Sequence, residues 1–258
     1  AVVAALEAAD GTAGLTWLPA DGDPTADGAV VAAALGPLLG AAGGDGLLGA
    51  MTAAEHGDAS AALAALRDVR LLCAHREGPH GLRRWGELLR ARLIAAGAAG
   101  GPASPWLTGE PVQVVRNERT GPLRNGDVGI VVGRGATQRL AFDVDDPLAA
   151  APGVPLERPP AAVGPVEGAL AVTVHRSQGS EHGTVVVVLP AATSPLATRE
   201  LLYTAVTRAR RHAVVVGDAA AVRACVRTPS VRAGGLADGL ATWRRYVTTA
   251  PPSARDAG

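Results

Sequence analysis

Lysine is absent from this 258-residue chain, so all 24 residues of the Lys-plus-Arg count are arginine. A phosphate-binding P-loop needs a lysine that reaches the β- and γ-phosphates of a nucleotide, and this chain has none. Schiff-base chemistry on a lysine amine is excluded for the same reason. By itself, the chain therefore lacks a complete P-loop.

Cysteine is scarce and net charge is absent. Cys73 and Cys225 are far apart, lack metal-ligand spacing and have apolar sequence neighbours, which predicts small core residues. Nothing indicates an oxidising compartment, and we expect no metal site. The formal net charge is zero, so a site for a polyanion must be a local patch.

Long apolar runs are also missing. The longest ones have the length of a strand, well short of the roughly 20 residues that a membrane span needs, so we expect no membrane contact. No basic segment followed by an apolar core opens the chain, so we expect no signal peptide. The chain begins with Ala1 instead of Met, inside a helical pattern, and we expect a fragment of a longer protein.

Hydrophobic residues make up 48% of the chain, enough for a core and for more than one structural unit. Val69–Ala74 has the composition of a buried strand, and the polar loop after it leads into a helical pattern over Leu82–Ala95, which together predict a β-loop-α unit. A capping-box spacing at Thr52–Glu55 indicates a helix start. The other predicted elements are helices at Val2–Ala9, Ala26–Leu39, Ala59–Leu66, Ala219–Val226 and Leu236–Tyr246, and a short strand at Leu15–Leu18.

Between residues 108 and 163 the pattern changes to short strands separated by Gly and Asn turns, which is typical of a small barrel. A loop rich in proline and alanine, Pro147–Pro165, ends this part, and the α/β pattern resumes at Gly168. We therefore expect an inserted β-barrel at 108–163, an α/β domain split into 1–107 and 164–248, and a disordered tail at 249–258.

The stretch Ala171–Glu181 is the centre of the predicted site. It is an apolar strand that opens into a polar loop, and the valine-rich run Thr184–Leu189 follows as a second buried strand. Ligands of open α/β sheets bind outside the carboxyl ends of the strands, where we expect this loop to lie.

A second segment, Thr198–Arg211, has a helical pattern with Thr198 as its N-cap. Arg208 lies off the apolar stripe of this helix, shortly before a predicted strand at Ala213–Val216. An arginine so placed can deliver a fixed charge and several N–H donors to a phosphate. A helical arginine is more often a solvated surface residue, so the functional interpretation depends on its pairing with the first stretch.

These two stretches resemble a known family. Thr173–Glu181 is similar to motif V of superfamily-one helicases, and Leu202–Arg210 is similar to their motif VI. Leu71–Pro79, Gly109–Asn117 and Asn125–Ile130 are similar to the RecD family in particular, whose members are subunits of the helicase–nuclease exodeoxyribonuclease V. The resemblance covers residues 69–235 well.

The resemblance implies an α/β fold: the second of two RecA-like (P-loop NTPase-type) motor domains, with a parallel sheet and an inserted SH3-like β-barrel. Such proteins hold ATP with Mg²⁺ between their two motor domains. Motifs I to IV, which include the Walker lysine and the Mg²⁺-binding acid, have no counterpart here. The resemblance therefore implies that the chain is inactive without a missing N-terminal motor domain.

Residue by residue, Arg208 matches the motif VI arginine finger, which stabilises charge on the transferred γ-phosphoryl group. The matched nucleotide-binding positions are Gln178, Gly179, Ser180 and Glu181. Gln178 stands where many relatives have lysine, and Glu181 can accept from the ribose hydroxyls.

The matched positions that face single-stranded DNA are Thr173, His175 and Ser177, where hydroxyls and an imidazole suit sugar–phosphate contacts. On the insertion, Asn117 with Arg116 and Arg119 could also contact DNA. The simpler alternatives are that His175 is a satisfied loop histidine and that the insertion's charges lie at a solvated strand edge.

The implied function is an ATP-dependent 5′-to-3′ DNA helicase in double-strand-break repair, in the bacterial cytoplasm, with RecB-like and RecC-like partner subunits. The alternative is a non-enzymatic DNA-binding or assembly module derived from half a motor, which the missing lysine favours. A dinucleotide-binding Rossmann enzyme is disfavoured because the glycines at Gly133 and Gly135 open no helix.

Overall fold

The computed structural model describes residues 14–40, 44–98, 100, 105–144, 153–230 and 243. Within these ranges the chain forms two five-stranded sheets with helices against them. The strands are β1 (Leu15–Leu18), β2 (Val69–Cys73), β3 (Pro111–Val114), β4 (Val128–Val132), β5 (Arg139–Phe142), β6 (Leu156–Arg158), β7 (Val166–Gly168), β8 (Ala171–Thr173), β9 (His182–Val188) and β10 (Ala209–Val216). The helices are α1 (Gly28–Leu39), α2 (Leu47–Glu55), α3 (Ala59–Arg67), α4 (Leu82–Ala95), α5 (Arg199–Val206) and α6 (Ala219–Arg227).

Three predictions lie outside the described residues: the helix at 2–9, the disordered tail, and the helix at 236–246 apart from residue 243. No helix in the described ranges is long and apolar enough to cross a membrane.

The first sheet is entirely parallel, in the order β1-β10-β9-β2-β8. Its centre is β9, whose residues Val185–Val188 are all fully buried. A strand covered on both faces needs apolar side chains at every position, which explains the unbroken valine run. The predicted α/β class and its parallel sheet are thus confirmed.

Successive residues of the strands supply two different cores. Leu71 and Val186 pack on the face covered by α1, α2, α3 and α4. Leu72 and Val187 pack on the opposite face, which α5, α6 and the loop after β8 cover. Each helical layer therefore buries the sheet against its own apolar cluster, as in three-layer α/β proteins.

The helix that carries the predicted arginine is shorter than its pattern indicated. Thr198 does cap α5, since its side chain accepts from the Leu201 amide. The helix ends at Val206, because the chain must then turn to start β10 at Ala209, opposite His182 of β9. Arg208 thus lies in the turn between helix and strand, and the prediction of a helix as far as Arg211 was wrong.

The capping-box prediction at Thr52 was also wrong. Thr52 lies inside α2, which begins at Leu47, and its hydroxyl donates to the Leu48 carbonyl over 2.9 Å. This bond back to the preceding turn is the usual alternative for a threonine within a helix.

The second sheet is antiparallel, in the order β6-β5-β4-β3-β7. One face has its own core, formed by the buried side chains of Val112, Val114, Leu123, Val131, Leu140 and Phe142. From the other face, Ile130 and Val132 join the core of the helices.

The strand β7 pairs with β3, so this sheet continues to Gly168, beyond the predicted boundary at 163. In the described part of the chain the sheet is open, with β6 and β7 as its edges. Closure into an SH3-like barrel and the division into domains stay predictions.

Candidate functional site

The predicted site residues lie at two opposite edges of the parallel sheet. Thr173 is the last residue of β8, at the carboxyl edge, where Cys73 and Val188 end the neighbouring strands. Glu181 and Arg208 directly precede β9 and β10, at the amino edge. Because β9 has 7 residues, the edges are about 20 Å apart. The expectation that the whole loop lies at the carboxyl ends is therefore wrong.

The loop that joins the edges is 174–181, and it crosses the face covered by α5. It begins with a 3₁₀ turn, in which the buried Ser177 hydroxyl donates to the Val174 carbonyl over 2.7 Å. Gly179 follows with φ +90, a conformation that favours glycine, in a position where an added Cβ would meet nothing within 4 Å. The glycine is thus required by the backbone and not by lack of space.

Arg208 is held at the amino edge by three neutral acceptors. Its Nε donates to the Thr204 carbonyl over 3.0 Å, Nη1 to the Ser180 carbonyl over 3.1 Å, and Nη2 to the Thr207 hydroxyl over 3.3 Å. No carboxylate of the described ranges forms a salt bridge with it. A guanidinium has five N–H groups, so donors remain for an anion, and its charge is not compensated locally.

Glu181 lies beside this arginine but pairs with another one. Its Oε2 accepts from Arg210 Nε over 3.1 Å, and the two side chains are 55% and 66% exposed. Exposed pairs of this kind contribute little to stability, so a ligand can displace the pair at small cost. Arg210, which the sequence analysis left unassigned, thus belongs to the same charged edge.

Gln178 and His175 line a cavity of about 430 Å³ between the loop and α5, together with Thr204 and Glu200. The structure therefore brings one predicted nucleotide contact and one predicted DNA contact into the same groove. His175 is exposed, and no hydrogen bond of its side chain is found within the described residues. The DNA contact of His175 and the alternative of a satisfied loop histidine both stay predictions.

Two predicted DNA contacts are placed less favourably. Ser177 is 3% exposed, and its hydroxyl is engaged inside the loop. Asn117 is exposed, but its Oδ1 accepts from the Asn125 amide over 2.8 Å and closes a turn of the antiparallel sheet. Thr173 is half-buried at the carboxyl edge. The DNA roles of all three residues stay predictions. The burial of Ser177 does not favour a DNA contact by that residue.

His182 is a site residue that sequence reasoning missed. It is 4% exposed, and its backbone N–H donates to the Arg208 carbonyl over 2.8 Å. Burial, together with the nearby cations of Arg70, Arg210 and Arg208, lowers its pKa to about 4. The available signal was an ionisable residue at the start of an otherwise apolar strand.

The loop is also tied to the antiparallel sheet at its other end. Arg176 donates to the Gln113 Oε1 over 3.1 Å and forms an ion pair with Glu167 of β7. Arg76, which follows β2, pairs with the same carboxylate at 3.5 Å. Arg176 is therefore not simply solvent-facing, because the carboxylate of β7 lies within its reach.

One segment of the chain matches a known protein family. Residues 168–216, which include the loop, Arg208 and strands β8, β9 and β10, match the family model described as UvrD-like helicase C-terminal domain. The matched segment supplies β8, β9 and β10 of the parallel sheet.

The chain is further similar to RecD proteins. It is 44% identical over 185 residues to the RecBCD enzyme subunit RecD of Mycobacterium tuberculosis, a match covering 71% of this chain and 31% of that protein. It is 35% identical over 158 residues to the ATP-dependent RecD2 DNA helicase of Deinococcus radiodurans, covering 59% and 20%. These matches support a C-terminal helicase part of the RecD type, and the chain matches 31% of the length of the first of these relatives and 20% of the second.

Among solved structures, the Pif1 helicase from Bacteroides in complex with ADP-AlF3 and ssDNA matches with a TM-score of 0.37 and 17% identity. That match covers 71% of this chain and 46% of the other.

Proposed function

We propose that this chain is the second motor half of an ATP-dependent DNA helicase of the RecD type. It supplies an arginine finger at one edge of its sheet and contacts to single-stranded DNA at the other. The observation that carries the proposal is the uncompensated charge of Arg208 beside the 179–181 loop. The matches to RecD and RecD2 support the helicase activity of the whole protein.

The surroundings of Arg208 fit a polyphosphate. Its three hydrogen-bond acceptors are neutral, and Arg210 adds a second cation at the same edge. A nucleotide bound with Mg²⁺ by an N-terminal motor domain would supply the phosphoryl group that is transferred to water. The guanidinium would stabilise the negative charge that develops on that group, which is worth about 10³- to 10⁵-fold in turnover.

The position of the 174–181 loop supports coupling between ATP hydrolysis and the contact with single-stranded DNA. His175 at its start lies near the carboxyl edge, and Glu181 at its end lies at the amino edge. The two edges are about 20 Å apart. A shift of the loop caused by a nucleotide at the amino edge would therefore also displace the DNA contact at the carboxyl edge. Contacts with sugar and phosphate suit a motor that must move along any sequence.

The partners we propose are single-stranded DNA, the missing N-terminal motor domain, and RecB-like and RecC-like subunits in the bacterial cytoplasm. We propose a role in double-strand-break repair on the same basis. The support is the likeness to RecD subunits of the RecBCD enzyme.

The test is Arg208→Ala in the full-length protein that contains this chain, with Arg223→Ala on the exposed surface of α6 as control. We expect the kcat for DNA-stimulated ATP hydrolysis to fall about 10³-fold, with the KM for ATP changed little, because the lost contact acts on the transition state. The control variant should match the wild type. Normal ATP turnover in Arg208→Ala would remove the proposal.

The second candidate is a non-enzymatic DNA-binding or assembly module, which the absence of lysine favours. The reading frame upstream of Ala1 separates the two. A G-x-x-x-x-G-K-T segment in the same frame favours the motor, and a start codon next to Ala1 favours the module.

A further inference from the structure

The contact that holds Arg208 depends on the position of Ser180. The Ser180 hydroxyl donates to the Ser177 carbonyl over 2.9 Å, and its amide donates to the same carbonyl over 3.2 Å. His182 Nε2 lies 3.2 Å from the Ser180 hydroxyl oxygen. An otherwise exposed loop residue is thus fixed on two sides.

His182 itself is fixed by the surrounding fold. Its Nδ1 lies 2.8 Å from the Arg67 carbonyl at the end of α3, and its backbone N–H bonds to the Arg208 carbonyl. The imidazole therefore touches the residue that holds the guanidinium, while its main chain holds the backbone of the arginine. The short segment from Ser180 to His182 is pinned at both ends.

The hydrogen bonds select one form of the imidazole. A nitrogen facing a carbonyl oxygen must carry a proton, so Nδ1 donates to Arg67 and Nε2 presents its lone pair to the Ser180 hydroxyl. That hydroxyl has one proton, which it shares between Nε2 and the Ser177 carbonyl. Burial and the nearby Arg70 cation keep the pKa of His182 low, so the ring stays neutral near pH 7.

The loop needs such an anchor because its middle is not self-supporting. Residues 178–181 are exposed, and Gly179 allows more backbone conformations than other residues. Without the imidazole, the Ser180 hydroxyl and amide would keep, among the described residues, only their two bonds to the Ser177 carbonyl. The Ser180 carbonyl, and with it one N–H group of Arg208, would then lose its fixed direction.

We propose that His182 is a positioning residue for the arginine finger: its imidazole holds Ser180, whose carbonyl orients the Arg208 guanidinium for phosphoryl transfer. The inference rests on the proposed function. Because His182 is 4% exposed, it acts on kcat through Arg208 and leaves nucleotide affinity nearly unchanged.

The experiment uses the full-length protein and two replacements of matched polarity. In His182→Asn, an amide N–H can take the place of Nδ1 toward Arg67 but cannot reach Ser180. In His182→Gln, the longer amide reaches toward Ser180 instead. We expect Asn to lower kcat for ATP hydrolysis by about 10- to 100-fold, with KM for ATP within about 2-fold. Gln should restore kcat to within about 5-fold of the wild type.

A purely structural role predicts a different result. The Asn variant keeps the hydrogen bond to α3. Equal reductions of kcat in the Asn and Gln variants, or a raised KM with kcat unchanged, would therefore overturn the inference. Thermal melting reports whether each variant folds. If His182→Asn does not fold, Ser180→Ala carries the test, because it removes the hydroxyl that His182 Nε2 contacts while the Ser180 amide keeps its bond to the Ser177 carbonyl: a lower kcat at constant KM supports the inference, and an unchanged kcat contradicts it.

A double-mutant cycle separates this inference from the proposed function. In an Arg208→Ala background, His182→Asn should reduce kcat no further, because its effect passes through the guanidinium. Independent, multiplying losses would refute the positioning role while leaving the finger in place. If Arg208→Ala alone leaves ATP turnover unchanged, the proposed function fails instead.

Discussion

Arg208 and Ser180 are joined by a hydrogen bond of 3.1 Å from the guanidinium Nη1 to the carbonyl oxygen, across 28 positions of sequence. The bond connects the two stretches that resemble helicase motifs V and VI. An acidic partner in that place would have neutralised the arginine, whereas a carbonyl leaves its positive charge intact. The geometry thus keeps the arginine both oriented and available to an anion.

The exposed imidazole of His175 should contribute to binding of single-stranded DNA. Because it lines the groove next to α5, His175→Ala in the full-length protein should weaken binding of an oligonucleotide about 5- to 10-fold, corresponding to about 1 kcal/mol. Fluorescence anisotropy at fixed salt measures the affinity. His56→Ala is the control, since that exposed ring closes the end of α2 against the Thr52 carbonyl. Equal affinities of both variants would remove His175 from the DNA-facing set.

The ion pairs of Glu167 should hold the 174–181 loop against the antiparallel sheet. Glu167→Gln removes the charge that pairs with Arg76 and Arg176, so hydrogen exchange over 174–178 should accelerate about 5-fold. Mass spectrometry of the exchanged chain gives the rates. Glu157→Gln, an exposed change on β6, should leave exchange over 174–178 unaltered. If the loop of the Glu167→Gln variant exchanges at the wild-type rate, other contacts hold the loop.

Gly109 should be intolerant of any side chain. It has φ +81, and an added Cβ would lie 2.5 Å from the Met51 Cα, where the start of the antiparallel sheet meets α2. We expect Gly109→Ala to lower the free energy of unfolding by about 2–4 kcal/mol, from backbone strain and overpacking together.

Gly126→Ala is the matched control for that change. Gly126 also has a positive φ, +103, but nothing lies within 4 Å of its added Cβ, so strain alone should cost about 1 kcal/mol. Urea unfolding of both variants measures the difference. Equal costs would mean that the approach to Met51 is not rigid.

Stability should fall on mild acidification because of His182. Its pKa is about 4 in the folded chain against an ordinary value of 6.5, so the unfolded chain takes up the proton first as the pH falls. The contribution of this group is therefore complete above about pH 6.5 and is lost progressively toward pH 4, by about 1–2 kcal/mol at pH 5.

Urea unfolding at pH 7 and pH 5 tests this expectation. His182→Asn has no proton to take up at this position, so it should lose less stability than the wild type between the two pH values. Identical pH dependence in the two proteins would show that the ring is not held neutral.

Much of the fold follows from local pattern. The limits of α4 agree with the prediction at both ends, since Trp85 and Leu89 repeat on one buried stripe. The β-branched valine run of β9 favours a strand buried on both faces. By contrast, β6 and β7 have only 3 residues each and follow proline-rich sequence, so they show no alternation to detect.

The sequence by itself determined the parallel α/β class, the two motif-like stretches and the identity of the cation at their meeting point. Only the tertiary structure decided which edge of the sheet each residue occupies, because strand pairing sets that and sequence spacing does not. It also decided that Arg208 donates to a carbonyl and that Arg210 pairs with the Glu181 carboxylate. His182 is buried near these two arginines. Such partners are chosen by packing between distant segments, and no local periodicity reports them.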